Sequence, residues 1–420
     1  MHYDIFFSIS QTPVDGHTPT EAEMFRNFFA QVEAADSLGY GTAWIAESHL
    51  SSEVQKTHAK PVIPHWKGEV GLNVDFLQLA TRVFARTKRI ECGSAIMNIL
   101  CMGGPIAAAE RVAAFAMQHG LNDAERRRIH VGFAAGRFDF MNRANGVVPR
   151  NAVEAAAGRA WKGRVFAEAA EVFVRLVEGE TLSSDDVAPP APFTRADFRS
   201  DEDWARVQQA AGGQPDQVPL ERFWNFEALK IIPQDWRREL VQLVIGSHDP
   251  KQQEVVNQWA PVQVFNLSIT RADVIDDTHR RLTAAYHPRG GAWQRAYMPR
   301  TVFVFLNEQD GLSPDDRRAA AKREADAALG AYWTALEGTL DPSKVNRAAN
   351  NALIGNADDI AAGIVERFHP DDRLMLWFDF FNHDSDRVVE NMTRFMERVA
   401  PRVQELLAAR SNTGPSNGVG

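Results

Sequence analysis

The chain has 420 residues, 45% of them apolar and 24% charged, with a formal charge of −9. That is the balance of a water-soluble globular protein, and an acidic chain without a basic tract is not expected to bind nucleic acid or an anionic membrane. Two cysteines, Cys92 and Cys101, make neither a disulfide framework nor a metal spacing and read as structural thiols. No apolar run approaches the roughly 20 residues that span a bilayer. A strand pattern begins at Tyr3, so no signal peptide is expected ahead of the fold and the predicted location is cytoplasmic.

From the amino terminus, Tyr3–Ser10 reads as a strand. Thr18-Pro19-Thr20-Glu21 then forms a capping box for a helix in which Met24, Phe25, Phe28, Val32 and Ala35 recur at helical spacing, closed by Gly39. The short apolar strand Gly41–Ala46 delivers Glu47, Ser48 and His49 to its carboxyl end. Leu50–Leu72 is too long for a plain connection and reads as an active-site loop. A helix over Val74–Arg86 precedes a third strand, Arg89–Asn98. Gly103-Gly104-Pro105 opens a helix running to Gly120, and the fourth strand, Arg128–Ala135, ends in Gly136 and Arg137. Val153–Glu178 is a long helical pattern.

Thr181–Gln234 breaks this rhythm with Pro189, Pro190 and Pro192 and with scattered aromatic residues. It is expected to be an insertion packed on the main body. Four more strands follow: Leu240–Gly246, Val262–Ser268, Thr301–Asn307 and Arg373–Phe380. Helices are predicted at Arg271–Tyr286, Pro314–Leu336, Asp358–Phe368 and Asp386–Ala409, and the loop His287–Arg300 carries Trp293, Arg295 and Tyr297. Eight strands alternating with helices predict an α/β fold, a (β/α)8 TIM barrel with insertions. The expected domain covers residues 1–409 with its insertion at about 181–234, and 410–420 is expected to be a disordered tail. A nine-strand open sheet is the alternative.

In such a barrel the carboxyl ends of the strands collect the chemistry. Here they gather Ser8 and Ser10, Glu47 to His49, Asn98, Gly136 and Arg137, Ser247 and His248, Ser268, Asn307, and Asn382 with His383. The 12 histidines form neither His-x-His nor a His-Glu-x-x-His pair, so no metal is expected. No G-x-S-x-G nucleophile elbow is present. Glu47 and Glu308 are a conceivable glycosidase pair, although Glu308 reads equally as an exposed turn. Gly246, Ser247 and His248 lie ahead of a helix start that attracts phosphate, a pull that Asp249 as the cap opposes by like charge. Small residues in Gly93-Ser94-Ala95-Ile96 either let a flat ligand approach the backbone or simply fill the interior; by themselves they favour the second.

Five segments in order carry a family resemblance: Trp44-Ile45-Ala46-Glu47-Ser48-His49; Gly93 to Ile96; Gly104-Pro105 with Ala109-Glu110-Arg111-Val112-Ala113; Val131 to Arg137; and Leu353 to Ile360. Over most of its length the chain resembles the luciferase-like monooxygenases. The resemblance implies a barrel, usually dimeric, that binds reduced flavin mononucleotide (FMN) or a deazaflavin coenzyme at the strands' carboxyl ends. It implies that Glu47 and Ser48 lie beside the isoalloxazine, and that Ala95 and Ile96 form a non-prolyl cis peptide beneath it. Ser247 would contact the phosphate, where the general barrel tendency nominates Gly355 and Asn356 instead. Asn98, Gly136, Arg137 and Gly246 complete the expected cofactor set.

Two departures stand out. The family's usual Glu-His-His is Glu47-Ser48-His49 here, and the arginine many members carry after strand 4 falls on Ala135, with Arg137 two residues later. His49 or His248 is then the candidate acid/base, and Arg295 or Arg300 the candidate grip on an anionic substrate. The function the resemblance implies is a two-component monooxygenase that uses O2 and reduced FMN from a separate reductase, a dependence that the absence of a G-x-G-x-x-G fingerprint fits. The alternatives are a deazaflavin-dependent oxidoreductase and, because of Ser48, a non-catalytic flavin-binding protein.

Overall fold

The computed structural model describes residues 1–58, 61, 63–336, 343, 346–347 and 350–412. Among them are ten strands: β1 (His2–Phe7), β2 (Thr42–Ile45), β3 (Glu91–Ser94), β4 (Met97–Asn98), β5 (Ile129–Ala134), β6 (Val241–Ile245), β7 (Val262–Val264), β8 (Arg300–Leu306), β9 (Leu353–Gly355) and β10 (Arg373–Trp377). The chain forms two compact units. One holds Met1–Ala95, Val264–Arg280 and the residues from Trp293 onward; the other holds Ile96–Gln263 and Arg281–Ala292.

In the first unit the strand order is β3-β2-β1-β10-β8-β9, parallel throughout. A buried carboxylate ties its centre together. Asp4 of β1 accepts from the Thr42 amide (3.0 Å) and the Trp44 indole (2.7 Å) of β2, and pairs with Arg373 of β10 (2.5 Å). A Cβ on Gly41 would stand 2.8 Å from Asp4 Oδ1, so this position has no room for a side chain. Gly93 is small for a similar reason: a Cβ there would meet the buried Trp44 ring at 2.5 Å. The small residues of this strand make room for Trp44, which is the interior-filling reading.

The first helix runs over Glu21–Leu38 and buries Met24, Phe28, Val32 and Ala35. Its capping box is Thr20 with Glu23, two residues later than the sequence suggests, so Pro19 lies outside the helix. Thr20 has extended backbone and Glu23 reaches its amide, a pairing Pro19 leaves undisturbed by staying ahead of the cap. Gly39 closes the helix at φ 88°. A second aromatic cluster packs Phe303 of β8 and Trp377 of β10 (centroids 4.9 Å) with Phe380 and Tyr332 of the helix Pro314–Leu336.

In the second unit β5 lies between β4 and β6, again parallel. The single strand expected over Arg89–Asn98 is therefore two, because β3 pairs with β2 whereas β4 pairs with β5. The helix expected over Val153–Glu178 is also divided. Gly158, at φ 52° and ψ −111°, separates Ala152–Ala157 from Arg159–Val177. The inserted segment is held by antiparallel bridges Leu182↔Leu229 and Phe193↔Val218, and contains a helix, Asp201–Ala210, that buries Trp204 and Val207. At the carboxyl terminus the last helix continues through Asn412, so the expected tail is helical over 410–412. Its remainder, 413–420, lies outside the described residues.

Candidate active site

Each unit presents its candidate residues at the carboxyl edge of its own strands. In the first, β2 ends at Ile45 and the chain has left the strand before Glu47. Two residues apart, Glu47 and His49 face each other: Glu47 Oε1 lies 3.2 Å from His49 Nε2, with side chains 3% and 8% exposed. Glu47 Oε2 accepts from the amide of Phe76 (3.0 Å), in the first turn of the helix Phe76–Arg86. That helix end carries partial positive charge, so the carboxylate is anchored on one side and presents its other oxygen to the imidazole. Ser48 is buried between them, its amide donating to Asn73 O (2.9 Å) while Asn73 Nδ2 donates to Ala46 O (2.9 Å).

The loop expected over Leu50–Leu72 is stitched to the exit of β1 through its described residues. Leu72 donates to Ile9 O, Gln11 to Glu69 O, and the Ser10 hydroxyl to Val70 O. Burial pushes the Glu69 carboxyl up, but hydrogen bonds from Ser51 and Ser52 outweigh it and hold Glu69 below the usual carboxylate range.

Asp379, two residues past β10, is the residue that sequence reasoning missed. Burial pushes its carboxyl up to about 7, against hydrogen bonds from its own amide, the Trp377 indole and the Ser8 amide. The Trp377 contact falls short of full hydrogen-bond geometry: Trp377 Nε1 and Asp379 Oδ1 are both buried without a partner. We therefore assign the shift to desolvation. Part of the residue reaches the surface while Oδ1 does not. The signal in the sequence is a carboxylate inside an aromatic run, Trp377-Phe378-Asp379-Phe380-Phe381.

In the second unit, β4, β5 and β6 bring Asn98, Gly136, Arg137, Gly246, Ser247 and His248 to one edge. Asn98 is committed to the protein. Its Nδ2 donates to Asn142 Oδ1 (2.7 Å) and Cys101 Sγ (3.0 Å), and its Oδ1 accepts from Leu100 (3.1 Å). Gly136, at φ 70°, has no room for a Cβ beside Asn98, and a Cβ on Gly246 would meet Ile96 Cδ1 at 2.3 Å. Arg137 is exposed, its guanidinium 5.3 Å from the centre of the Phe138 ring. Ser247 is half-buried; its Oγ accepts from Asp249, which in turn caps the short helix Pro250–Val256. His248 is exposed. The peptide bond between Ala95 and Ile96 is not cis; among the described residues the cis bond is Ile232–Pro233. A non-prolyl cis amide costs about 3–4 kcal/mol, and nothing in this sequence beyond the resemblance called for one.

The remaining candidates are structural. Glu308 is buried, not an exposed turn: it pairs with Arg317 (3.0 Å) and Arg398, and accepts from the Ala357 amide (2.8 Å). Those partners leave it no place in a glycosidase pair. Asn356 caps the helix Ala357–Arg367 reciprocally with Asp359, so that helix start is already lined with carboxylates. His383 Nε2 meets Thr12 O at 2.6 Å, and burial lowers its pKa. The Ser268 amide donates to the Thr301 hydroxyl oxygen (2.7 Å), and Asn307 Oδ1 accepts from the Gln309 amide (3.1 Å). Arg295 is bound by Asp276 and Asp372.

With fold and edges described, the relatives can be placed. Residues 1–370 match the family described as luciferase-like monooxygenase, and the chain belongs to that family. No curated protein matches it. Among solved structures it is similar to monooxygenase RslO1 from Streptomyces bottropensis, with 16% identity, 96% of this chain and 99% of that one covered, and a TM-score of 0.64. It is also similar to the oxygenating constituent of 3,6-diketocamphane monooxygenase from Pseudomonas putida in complex with FMN (12% identity, 96% and 98% covered, TM-score 0.54). A third is an F420-dependent secondary alcohol dehydrogenase (14% identity, 96% and 98% covered, TM-score 0.50). At these identities the likeness shows the fold: the TIM-barrel-like α/β fold of the family. No helix among the described residues is long and apolar enough to cross a membrane.

Proposed function

We propose that the chain is the oxygenating component of a two-component monooxygenase, using O2 and reduced FMN from a separate reductase to oxygenate a small organic substrate in the cytoplasm. The observation that carries this reading is the buried Glu47–His49 pair at the carboxyl edge of the strands. A carboxylate that is itself anchored fixes the ring orientation and tautomer of an imidazole, and an oriented imidazole is the commonest acid/base near neutral pH.

The second unit's edge fits a flavin's anionic end. Its exposed Arg137 guanidinium and the half-buried Ser247 hydroxyl are the donors for the phosphate, while Asn98, saturated by the protein, shapes the turn. When bound, reduced flavin would supply two of the four electrons that reduce O2, the substrate giving the other two as it takes one oxygen atom and the second leaves as water. The chain's own residues do the rest. His49 holds or releases a proton, Glu47 keeps the ring in place, and Asp379 offers a second proton-holding oxygen that titrates near neutrality. The loop stitched to Ile9–Gln11 limits water at this edge.

A second reading, hydride transfer with a deazaflavin, is supported by the F420-dependent neighbour. Anaerobic titration with FMN, reduced FMN and deazaflavin separates the two. The family's usual homodimer belongs to this proposal, and sedimentation tests it.

A further inference from the structure

Four arginines converge at the amino end of β8, in the first unit. Arg271, Arg300, Arg347 and Arg367 line a cavity of about 380 Å³ together with Asn351 and Phe368. One acid, Asp273, shares the lining, so four positive charges face one negative. Asp273 is engaged with Arg271 in an exposed ion pair. Among the described residues, the other three arginines have no carboxylate within ion-pair distance.

Arg300 is the most confined. It is 5% exposed; Nη2 donates to Thr270 O (2.7 Å), while Nε is buried without a hydrogen-bond partner. Arg347 Nε is likewise buried and unpartnered, and Arg347 Nη1 donates only to the Ser343 hydroxyl (3.1 Å). Arg367 donates from Nε to Gly363 O and from Nη1 to Asn350 O and Ala352 O, which leaves its Nη2 donors for a ligand. Arg300 and Arg367 both lie against the Phe368 ring, 5.2 and 6.0 Å from its centre. Asp372, the nearest opposite charge acting on Arg300, is already bound by Arg295 and by the His369 amide.

Burial, reinforced by Arg295 and Arg367 and opposed by Asp372, pushes the Arg300 pKa down to about 10. It stays protonated at neutral pH. A buried cation without an anion is costly, and the helix Ala272–Ala285 adds its positive amino end to the same cavity. The chain therefore holds uncompensated positive charge around a space large enough for a small molecule.

We propose that this cavity is a binding site for a dianionic phosphate monoester, with Arg300, Arg347 and Arg367 as the residues that grip the phosphate. Guanidinium groups match phosphate oxygens in bidentate geometry, and the side chains of all three arginines line the cavity. The site is separate from the carboxyl edge. From Arg300 to Leu306, at about 3.3 Å per residue, is about 20 Å along β8.

The test is thermal unfolding and calorimetry of the full chain with inorganic phosphate and with glycerol phosphate, at ionic strength held constant with chloride. Both ligands are expected to raise the wild-type Tm, as any ligand of the native state does, and to bind at least tenfold more weakly to Arg347→Gln. Arg300→Met, which removes a buried unpaired charge, should unfold no earlier than wild type without ligand and should lose the phosphate response. Ser247→Asp should keep that response. An unchanged wild-type Tm, equal responses in wild type and Arg347→Gln, or loss of the response in Ser247→Asp each overturns the proposal; the last would assign phosphate to the flavin edge. Should Arg300→Met fail to fold, Arg347→Gln alone decides.

Discussion

Glu47 Oε1 and His49 Nε2 meet at 3.2 Å just past the end of β2 at Ile45, two residues apart and on one side of the chain. On a continued strand, neighbours Ser48 and His49 would point to opposite faces. Here a carboxylate fixed by the Phe76 amide holds the histidine that follows the serine. In the proposed mechanism His49 takes the role of the imidazole that the family usually carries at position 48. His49→Ala should lower turnover by roughly a hundredfold or more, as for a lost general acid/base, with flavin affinity nearly unchanged. Glu47→Gln should lower it less, since the ring remains while its orientation loosens. Steady-state turnover beside flavin titration checks both, and normal turnover in His49→Ala removes this residue from the mechanism.

Asp379 makes stability depend on pH in a definite direction. Its native pKa is raised to about 7 by burial, whereas an unfolded aspartate titrates near 3.9. Between those values the native state binds more protons than the unfolded state, so stability falls as pH rises from about 4 to about 7. Asp379→Asn should remove this slope. Relative to wild type, the variant should gain at least about 1 kcal/mol at pH 8, since each tenfold change in proton affinity is about 1.4 kcal/mol, and gain little at pH 4. Urea midpoints at both pH values measure it; equal gains at the two would contradict the assignment.

The pair Asp4–Arg373 should matter for folding and not for chemistry. Removing one partner of a buried, hydrogen-bonded ion pair costs about 3–5 kcal/mol, and Asp4 also holds the Thr42 amide and Trp44 indole. Arg373→Ala should lower the unfolding free energy obtained from urea titration by that amount, while the protein that remains folded binds flavin normally. A variant as stable as wild type would remove the pair from the account of how β1, β2 and β10 join.

Ser247→Asp tests where the cofactor's phosphate lies. Placing a carboxylate beside it should weaken FMN at least about tenfold, given roughly 1.5–3 kcal/mol for a charge-assisted hydrogen bond, with circular dichroism unchanged. Unaltered affinity would move the phosphate away from this hydroxyl, with Arg137 the next residue to vary.

How much of this is legible in the sequence depends on the range of the interactions involved. The helix Glu21–Leu38 shows its buried stripe at helical spacing, and Gly39 marks its end, so both can be read directly. The division of β3 from β4 cannot, because it depends on which strand each pairs with. β9 has three residues, too few to show a period. Glu308 looks like a turn because its partners, Arg317 and Arg398, lie nine and ninety residues further along. The carboxyl-edge placement of Glu47, Ser48 and His49 follows from the strand pattern, but the Phe76 amide that anchors Glu47 lies 29 residues further along and is not legible there. Asp379 belongs to no motif; its raised pKa arises from a burial that only folding imposes.

The central claim, a reduced-flavin monooxygenase, is tested most directly by anaerobic calorimetric titration of the protein with reduced FMN, oxidised FMN and deazaflavin, followed by admission of O2 to the complex that forms. The account predicts that reduced FMN binds more tightly than oxidised FMN, and that O2 is then consumed with oxygenation of an added substrate. Binding of the deazaflavin with neither form of FMN bound would contradict it.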